Sequence, residues 1–242
     1  MSGMLGHAGV MRTIGLIGGM SWHSTMTYYR LLNEAVAREY GGHSSAKIVL
    51  QSLDFAEIRQ CQVDGDWERA ATLLAAAGRH CQDGGADMVA ICTNLMHKVA
   101  PSVEASLQVP LVHIADAVAA EADRNGWTRL GILGTKWTMQ EDFYADRLAR
   151  HGCHAVVPTD AECDLIDRII FDELTRGVVR AESRAAYVRV IEGLAARGAQ
   201  AVVLACTEIG MLLEPAQSPL PTIDSAEAHA AELARLAVAV TV

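Results

Sequence analysis

The feature that most constrains this chain is a set of three landmarks that recur once, in the same order and at nearly the same spacing. Ile14-Gly15-Leu16-Ile17-Gly18-Gly19 is answered by Leu130-Gly131-Ile132-Leu133-Gly134-Thr135, 116 positions on. Gly85-Ala86-Asp87-Met88-Val89-Ala90-Ile91-Cys92-Thr93 is answered by Gly198-Ala199-Gln200-Ala201-Val202-Val203-Leu204-Ala205-Cys206, 113 on. Val109-Pro110-Leu111-Val112 is answered by Leu220-Pro221-Thr222-Ile223, 111 on. Each landmark is a short apolar run bounded by Gly, Pro or polar residues, the pattern of a strand buried on both faces. A single repeat of such a set points to two similar α/β halves rather than a solenoid.

Helical patterns fill the gaps, over Ser24–Tyr40, Trp67–Gln82, Gln140–His151 and Ser183–Arg197, each followed by a glycine or a Gly-rich turn. The reading is an α/β protein of two Rossmann-like lobes, each a parallel sheet flanked by helices, with an active site in the cleft between them. The crossings near Pro110 and Pro221 make the lobes discontinuous: 1–111 with 223–242, and 112–222. One continuous sheet is the alternative. Residues 1–10 read as an extension ahead of the first strand.

Composition narrows the partners. A net charge of −9 with no basic stripe leaves nothing to neutralise phosphates, which excludes nucleic acid and an anionic membrane. No apolar stretch is long enough to span a bilayer, and a cytoplasmic location is expected. The six cysteines, Cys61, Cys81, Cys92, Cys153, Cys163 and Cys206, show neither CxxC spacing nor a paired-histidine pattern. No metal site and no disulfide framework are expected.

Chemistry should gather where the strands end. Counting from the shared Gly-Ala, Cys206 corresponds to Thr93 and not to Cys92. Alternation along a strand then turns Cys92 into the core if Cys206 faces a ligand. Cys206 precedes a turn expected to open a helix, whose amides would favour a thiolate. Thr207 and Glu208 add a hydroxyl and a carboxylate. A buried packing cysteine remains the other reading of Cys206. The turns Gly18-Gly19-Met20-Ser21 and Gly134-Thr135-Lys136 offer amides and hydroxyls suited to a carboxylate or phosphate, or they are simply tight turns. His97 either assists proton transfer or satisfies a buried helix, while His23, His113 and His229 read as structural. Cys61, Cys81, Cys153 and Cys163 read as packing or surface thiols, and Glu162 to Asp167 as a solvated helix face.

The segments Ile14–Ser21, Thr93-Asn94-Leu95-Met96-His97 and Cys206-Thr207-Glu208-Ile209-Gly210 together resemble the three signatures of the aspartate/glutamate racemase superfamily. The similarity is greatest to its L-aspartate/glutamate-specific branch, where threonine stands in place of the first cysteine of Cys-Asn-Thr-x-His. The resemblance implies a racemase that uses neither pyridoxal phosphate nor any other cofactor, acts on a small amino acid and forms a homodimer. It implies that Cys206, as a thiolate, takes the α-proton of the L-form while Thr93 serves the opposite face. Met20, Ser21, Asn94, Leu95, Thr135, Thr207 and Glu208 fall where the family binds substrate. Leu95 departs from the usual threonine, and Arg59, Arg176 or Lys136 would hold a side-chain carboxylate. Two alternatives stay open: a one-thiol decarboxylase or isomerase of small dicarboxylic acids, as in arylmalonate decarboxylase of the same superfamily, and a non-catalytic amino-acid-binding protein.

Overall fold

The computed structural model describes residues 11–238, so the expected extension at 1–10 lies outside the described residues. The chain forms two compact units. The first takes in residues through Cys92, then Val99–Val112, and the chain from Ala230 on; the second holds Thr93–Lys98 and His113–His229. The crossings thus fall at 112/113 and at 229/230, against 111/112 and 222/223 read from the sequence. The second lies inside the last helix.

In the first unit, β1 (Ile14–Gly18), α1 (Trp22–Tyr40), β2 (Ile48–Ser52), α2 (Phe55–Asp64), α3 (Trp67–Asp83), β3 (Met88–Ile91), α4 (Ala100–Ala105) and β4 (Leu111–Val112) follow in order. A 3₁₀ turn, Leu95–Val99, lies between β3 and α4. The second sheet repeats the scheme. Its order is α5 (Ile114–Arg124), β5 (Arg129–Gly134), α6 (Lys136–Gln140), α7 (Asp142–Ala149), β6 (His154–Val156), α8 (Asp160–Asp172), α9 (Ala181–Ala196), β7 (Ala201–Ala205), α10 (Ile209–Leu212), β8 (Thr222–Asp224) and α11 (Ser225–Val238). Both sheets are wholly parallel, ordered β2-β1-β3-β4 and β6-β5-β7-β8.

The repeated landmarks perform the same work in each unit. Gly85 and Gly198 take φ of 89° and 90°, a left-handed turn that a side chain would strain. Two residues later Asp87 accepts from the Thr13 amide, and Gln200 accepts from the amides of Thr128 and Arg129. The prolines close the far side: Val89 donates to the Pro110 carbonyl and Val202 to that of Pro221, both at 2.9 Å. Side-chain pins on both neighbours fix strand register.

Each sheet buries its inner strands, apart from the exposed Arg129 that opens β5. Ile14, Leu16 and Ile17 of β1, Tyr28 and Leu32 of α1 and Leu74 of α3 are wholly buried in the first unit, and Leu130, Ile132, Leu133, Val202 and Val203 belong to the core of the second. Removing one such side chain to alanine costs about 2–5 kcal/mol. Two elements differ from expectation. The helix expected over Gln140–His151 forms as α7, two residues shorter at each end, because Glu141 is extended (φ −91°, ψ 151°) and leaves Gln140 to α6. The acidic run Glu162 to Asp167 is not merely solvated: Glu162 closes a capping box with Thr159 and pairs with Arg197, while Asp164 and Asp167 hold Lys136. Among the described residues no helix is long and apolar enough to cross a membrane.

Candidate functional site

The ladders test the correspondence of the strand ends independently of any sequence count. Ile17 pairs with Ile91 in the first sheet, and the next amide, that of Cys92, donates to the Ile17 carbonyl. In the second sheet Leu133 pairs with Leu204 and Gly134 with Ala205. Since Ile17 and Leu133 are equivalent, Cys92 corresponds in register to Ala205, and Thr93 and Cys206 are each the first residue beyond. Cys92 is 1% exposed, its carbonyl accepts from Ser24 Oγ, and burial drives its thiol far above the ordinary range. It packs as a small apolar residue.

Thr93 opens the segment Thr93–Lys98, which belongs to the second unit with Cys206. Asn94 donates from Nδ2 to Ser225 Oγ at 2.9 Å, and Ser225 Oγ donates to the Leu204 carbonyl at 2.8 Å. This chain ties the turn after β3 to the end of β7. His97 holds the same turn from the other side, with Nδ1 2.8 Å from the Thr93 carbonyl and Nε2 accepting from the Ile114 amide. Because Nε2 accepts, the ring proton sits on Nδ1 and is donated to Thr93. His97 is therefore a neutral strut, and the proton-transfer alternative loses its free nitrogen. Burial, reinforced by the nearby His113 and His229 rings, keeps it from protonating. Burial and nearby Arg147 likewise press His113 down to about 3, and its Nδ1 caps α5 at Ala115. Among the described residues no group of His, Cys, Asp or Glu is arranged to hold a metal ion.

The turn after β7 is acidic instead. Cys206 Sγ donates to Glu208 Oε2 at 3.1 Å, and Thr207 Oγ1 donates to the same oxygen at 2.8 Å. Burial and the Glu208 carboxylate push the Cys206 thiol well above its ordinary value. These contacts favour the thiol over the expected resting thiolate. The helix beyond, α10, is a single turn that starts only at Ile209, and the sulfur's hydrogen-bond partner is the Glu208 carboxylate.

The remaining candidates separate by unit. In the first, Ser21 caps α1 at Ser24, and Thr25 Oγ1 accepts from the Gly19 amide and donates to the Ser21 carbonyl. Gly19 (φ 89°) admits no side chain, since a Cβ would lie 2.1 Å from the Leu53 carbonyl oxygen. Met20 is buried there. In the second unit Thr135 is the N-cap residue of α6, its hydroxyl bonded to that of Thr138, and Leu95 is packed beside Asn94. Of the proposed carboxylate holders, Lys136 is engaged with Asp164, Arg59 bonds Gln62, and Arg176 is exposed beside Gly177. None of these contacts reaches the Thr93 or Cys206 turn. Cys61, Cys81, Cys153 and Cys163 are all buried, which makes them packing thiols. Sequence reasoning missed Ser225, whose partner Asn94 lies 131 residues away and leaves no local signal.

Comparison with known proteins follows the same lines. The profile of the family described as Asp/Glu/Hydantoin racemase matches residues 17–233. A crystal structure from Yersinia pestis, described as that of a candidate Asp/Glu racemase, superposes with a TM-score of 0.90 at 44% identity, covering 95% of this chain and all of that one. A glutamate racemase of Shewanella loihica is 27% identical over 170 residues, 68% of this chain and 61% of its own length. The broad specificity amino-acid racemase RacX of Bacillus subtilis is 22% identical over 215 residues, 88% of this chain and 92% of its own.

Proposed function

The chain belongs to the Asp/Glu/hydantoin racemase family, and from that premise we propose that it interconverts the enantiomers of an acidic amino acid, aspartate or glutamate, by proton transfer between its own side chains and Cα. The observation that carries the reading is the pairing of Thr93 and Cys206 at equivalent strand ends, held in one unit through Asn94, Ser225 and Leu204.

In this reading Cys206 starts as a thiol and Glu208 is its proton acceptor, 3.1 Å away. An amino-acid ammonium entering beside them offsets the carboxylate charge and brings the thiol's proton affinity down. Glu208 takes the thiol proton, the thiolate removes the α-proton of the L-form, and the electron pair delocalises into the substrate carboxylate. Thr93 returns a proton to the opposite face, and after product leaves, solvent carries the proton held on Glu208 back to the Thr93 alkoxide. An alkoxide is far costlier to form than a thiolate, so this half of the cycle is the slower. The names of the relatives span glutamate and broad specificity, and Leu95 supplies no hydroxyl to a carboxylate, which leaves glutamate and aspartate as the two substrates to assay first.

The test is exchange at Cα in D₂O. Both enantiomers of aspartate or glutamate should take up deuterium and racemise with the wild-type protein. Normal exchange by Cys206→Ser protein would sink the assignment of that thiol. A second reading is favoured by one observation, the hydrogen bond from Cys206 Sγ to Glu208 Oε2, which places a thiol proton where a carbanion left by decarboxylation would need one. Release of carbon dioxide from a substituted malonate, with no exchange on amino acids, would select it.

A further inference from the structure

Ser225 is completely buried at the start of α11 and has one hydroxyl hydrogen to give. The Leu204 carbonyl can only accept, and it lies 2.8 Å from Oγ, so that hydrogen is committed to it. Towards Asn94, 2.9 Å away, Ser225 therefore presents an acceptor alone. This fixes the amide: the NH₂ group faces Ser225 and Oδ1 faces the other way. Asn94 is 3% exposed, yet Oδ1 has no hydrogen-bond partner. A buried amide oxygen in that state awaits a donor.

We infer that Ser225 is a positioning residue that sets the polarity of this contact, holding Asn94 Oδ1 as the acceptor for the α-ammonium of the substrate. The inference rests on the amino-acid reading given above. It adds a selectivity that the strand-end pair alone does not supply. A ligand with an ammonium at this point gains a charge-assisted hydrogen bond, whereas the same diacid without the amino group leaves Oδ1 buried and unpaired. A carboxylate oxygen brought there would face another acceptor. Ser225 touches no reacting atom; it acts through Asn94.

The experiment compares binding of L-aspartate with succinate, and of L-glutamate with glutarate, by calorimetry on the whole protein and three variants. The wild type should prefer the amino acids. In Ser225→Ala the amide loses the partner that orients it, and amino-acid affinity should fall about tenfold while diacid affinity stays within about twofold. Ser225→Thr keeps the hydroxyl and should recover most of the preference. Should the alanine variant fail to fold, Ser225→Cys, close in shape but a weak acceptor, carries the same two outcomes. A parallel loss for both ligand classes, or a preference untouched by losing the hydroxyl, overturns the inference. Racemisation is scored separately: a wild type that prefers amino acids without inverting them refutes the racemase reading and leaves Ser225 judged on binding. A wild type with no such preference refutes the Ser225 inference itself.

Discussion

The turns after β3 and β7 begin at the same register position and are held in opposite ways. Thr93 is fixed by uncharged partners: the Asn94 amide on Ser225, and a neutral His97 on the Thr93 carbonyl. Cys206 and Thr207 converge instead on one carboxylate, Glu208. A repeated backbone thus carries a threonine on a turn pinned by neutral groups on one side and a thiol hydrogen-bonded to a carboxylate on the other. The difference teaches that fold symmetry does not carry chemical symmetry. The strand geometry is shared, and the polar groups around each turn are what set the two side chains apart.

The largest effect expected of a substitution separates the two cysteines. Cys206→Ala should lower Cα exchange at least about 10³-fold, roughly 4 kcal/mol of barrier, while melting stays near wild type. Cys92→Ala should do the reverse, keeping exchange and losing stability through a small cavity, on the order of 1 kcal/mol. Exchange kinetics and denaturant unfolding on both variants check the contrast.

Acid should break the β3 side selectively. His113 is held at about 3 and His97 is also kept neutral, so the native state binds fewer protons than the unfolded chain once pH falls below about 6.5. Stability present above that pH is then lost as pH drops, by about 1.4 kcal/mol per unit for each histidine that the unfolded chain protonates. Urea unfolding from pH 7 to pH 4.5 reads the slope. His97→Gln should flatten it, and an unchanged slope would remove His97 from the account.

A smaller effect sharpens the β7 side. Glu208→Gln removes the charge that helps hold the Cys206 proton, so the pH midpoint for alkylation of that thiol should move down while exchange slows. Iodoacetamide kinetics, corrected with Cys206→Ala, measure the midpoint. An upward or absent shift would mean that burial alone sets the thiol.

Much of this is legible in the amino-acid sequence itself. The inner strands β1, β3, β5 and β7 are continuous apolar runs with repeated pins, and the Gly-Ala count places Thr93 level with Cys206, as the ladders do. The edge strands β2 and β6 are not legible in this way, because Ile48–Ser52 is half-exposed and His154–Val156 has three residues, too few for a period. The pairing of Asn94 with Ser225 and the charge state of Cys206 depend on contacts between distant segments and on burial. No local pattern encodes either.

The asymmetry of the Thr93 and Cys206 pair is the central claim, and steady-state kinetics from each enantiomer test it most directly. A racemase cannot shift an equilibrium constant of one, so kcat/KM must be equal in both directions and asymmetry shows only in kcat and KM separately. Unequal kcat values are predicted for the L- and D-forms of the best substrate, converging in Thr93→Cys protein. Equal values in the wild type, or an inequality that Thr93→Cys leaves unchanged, would contradict it.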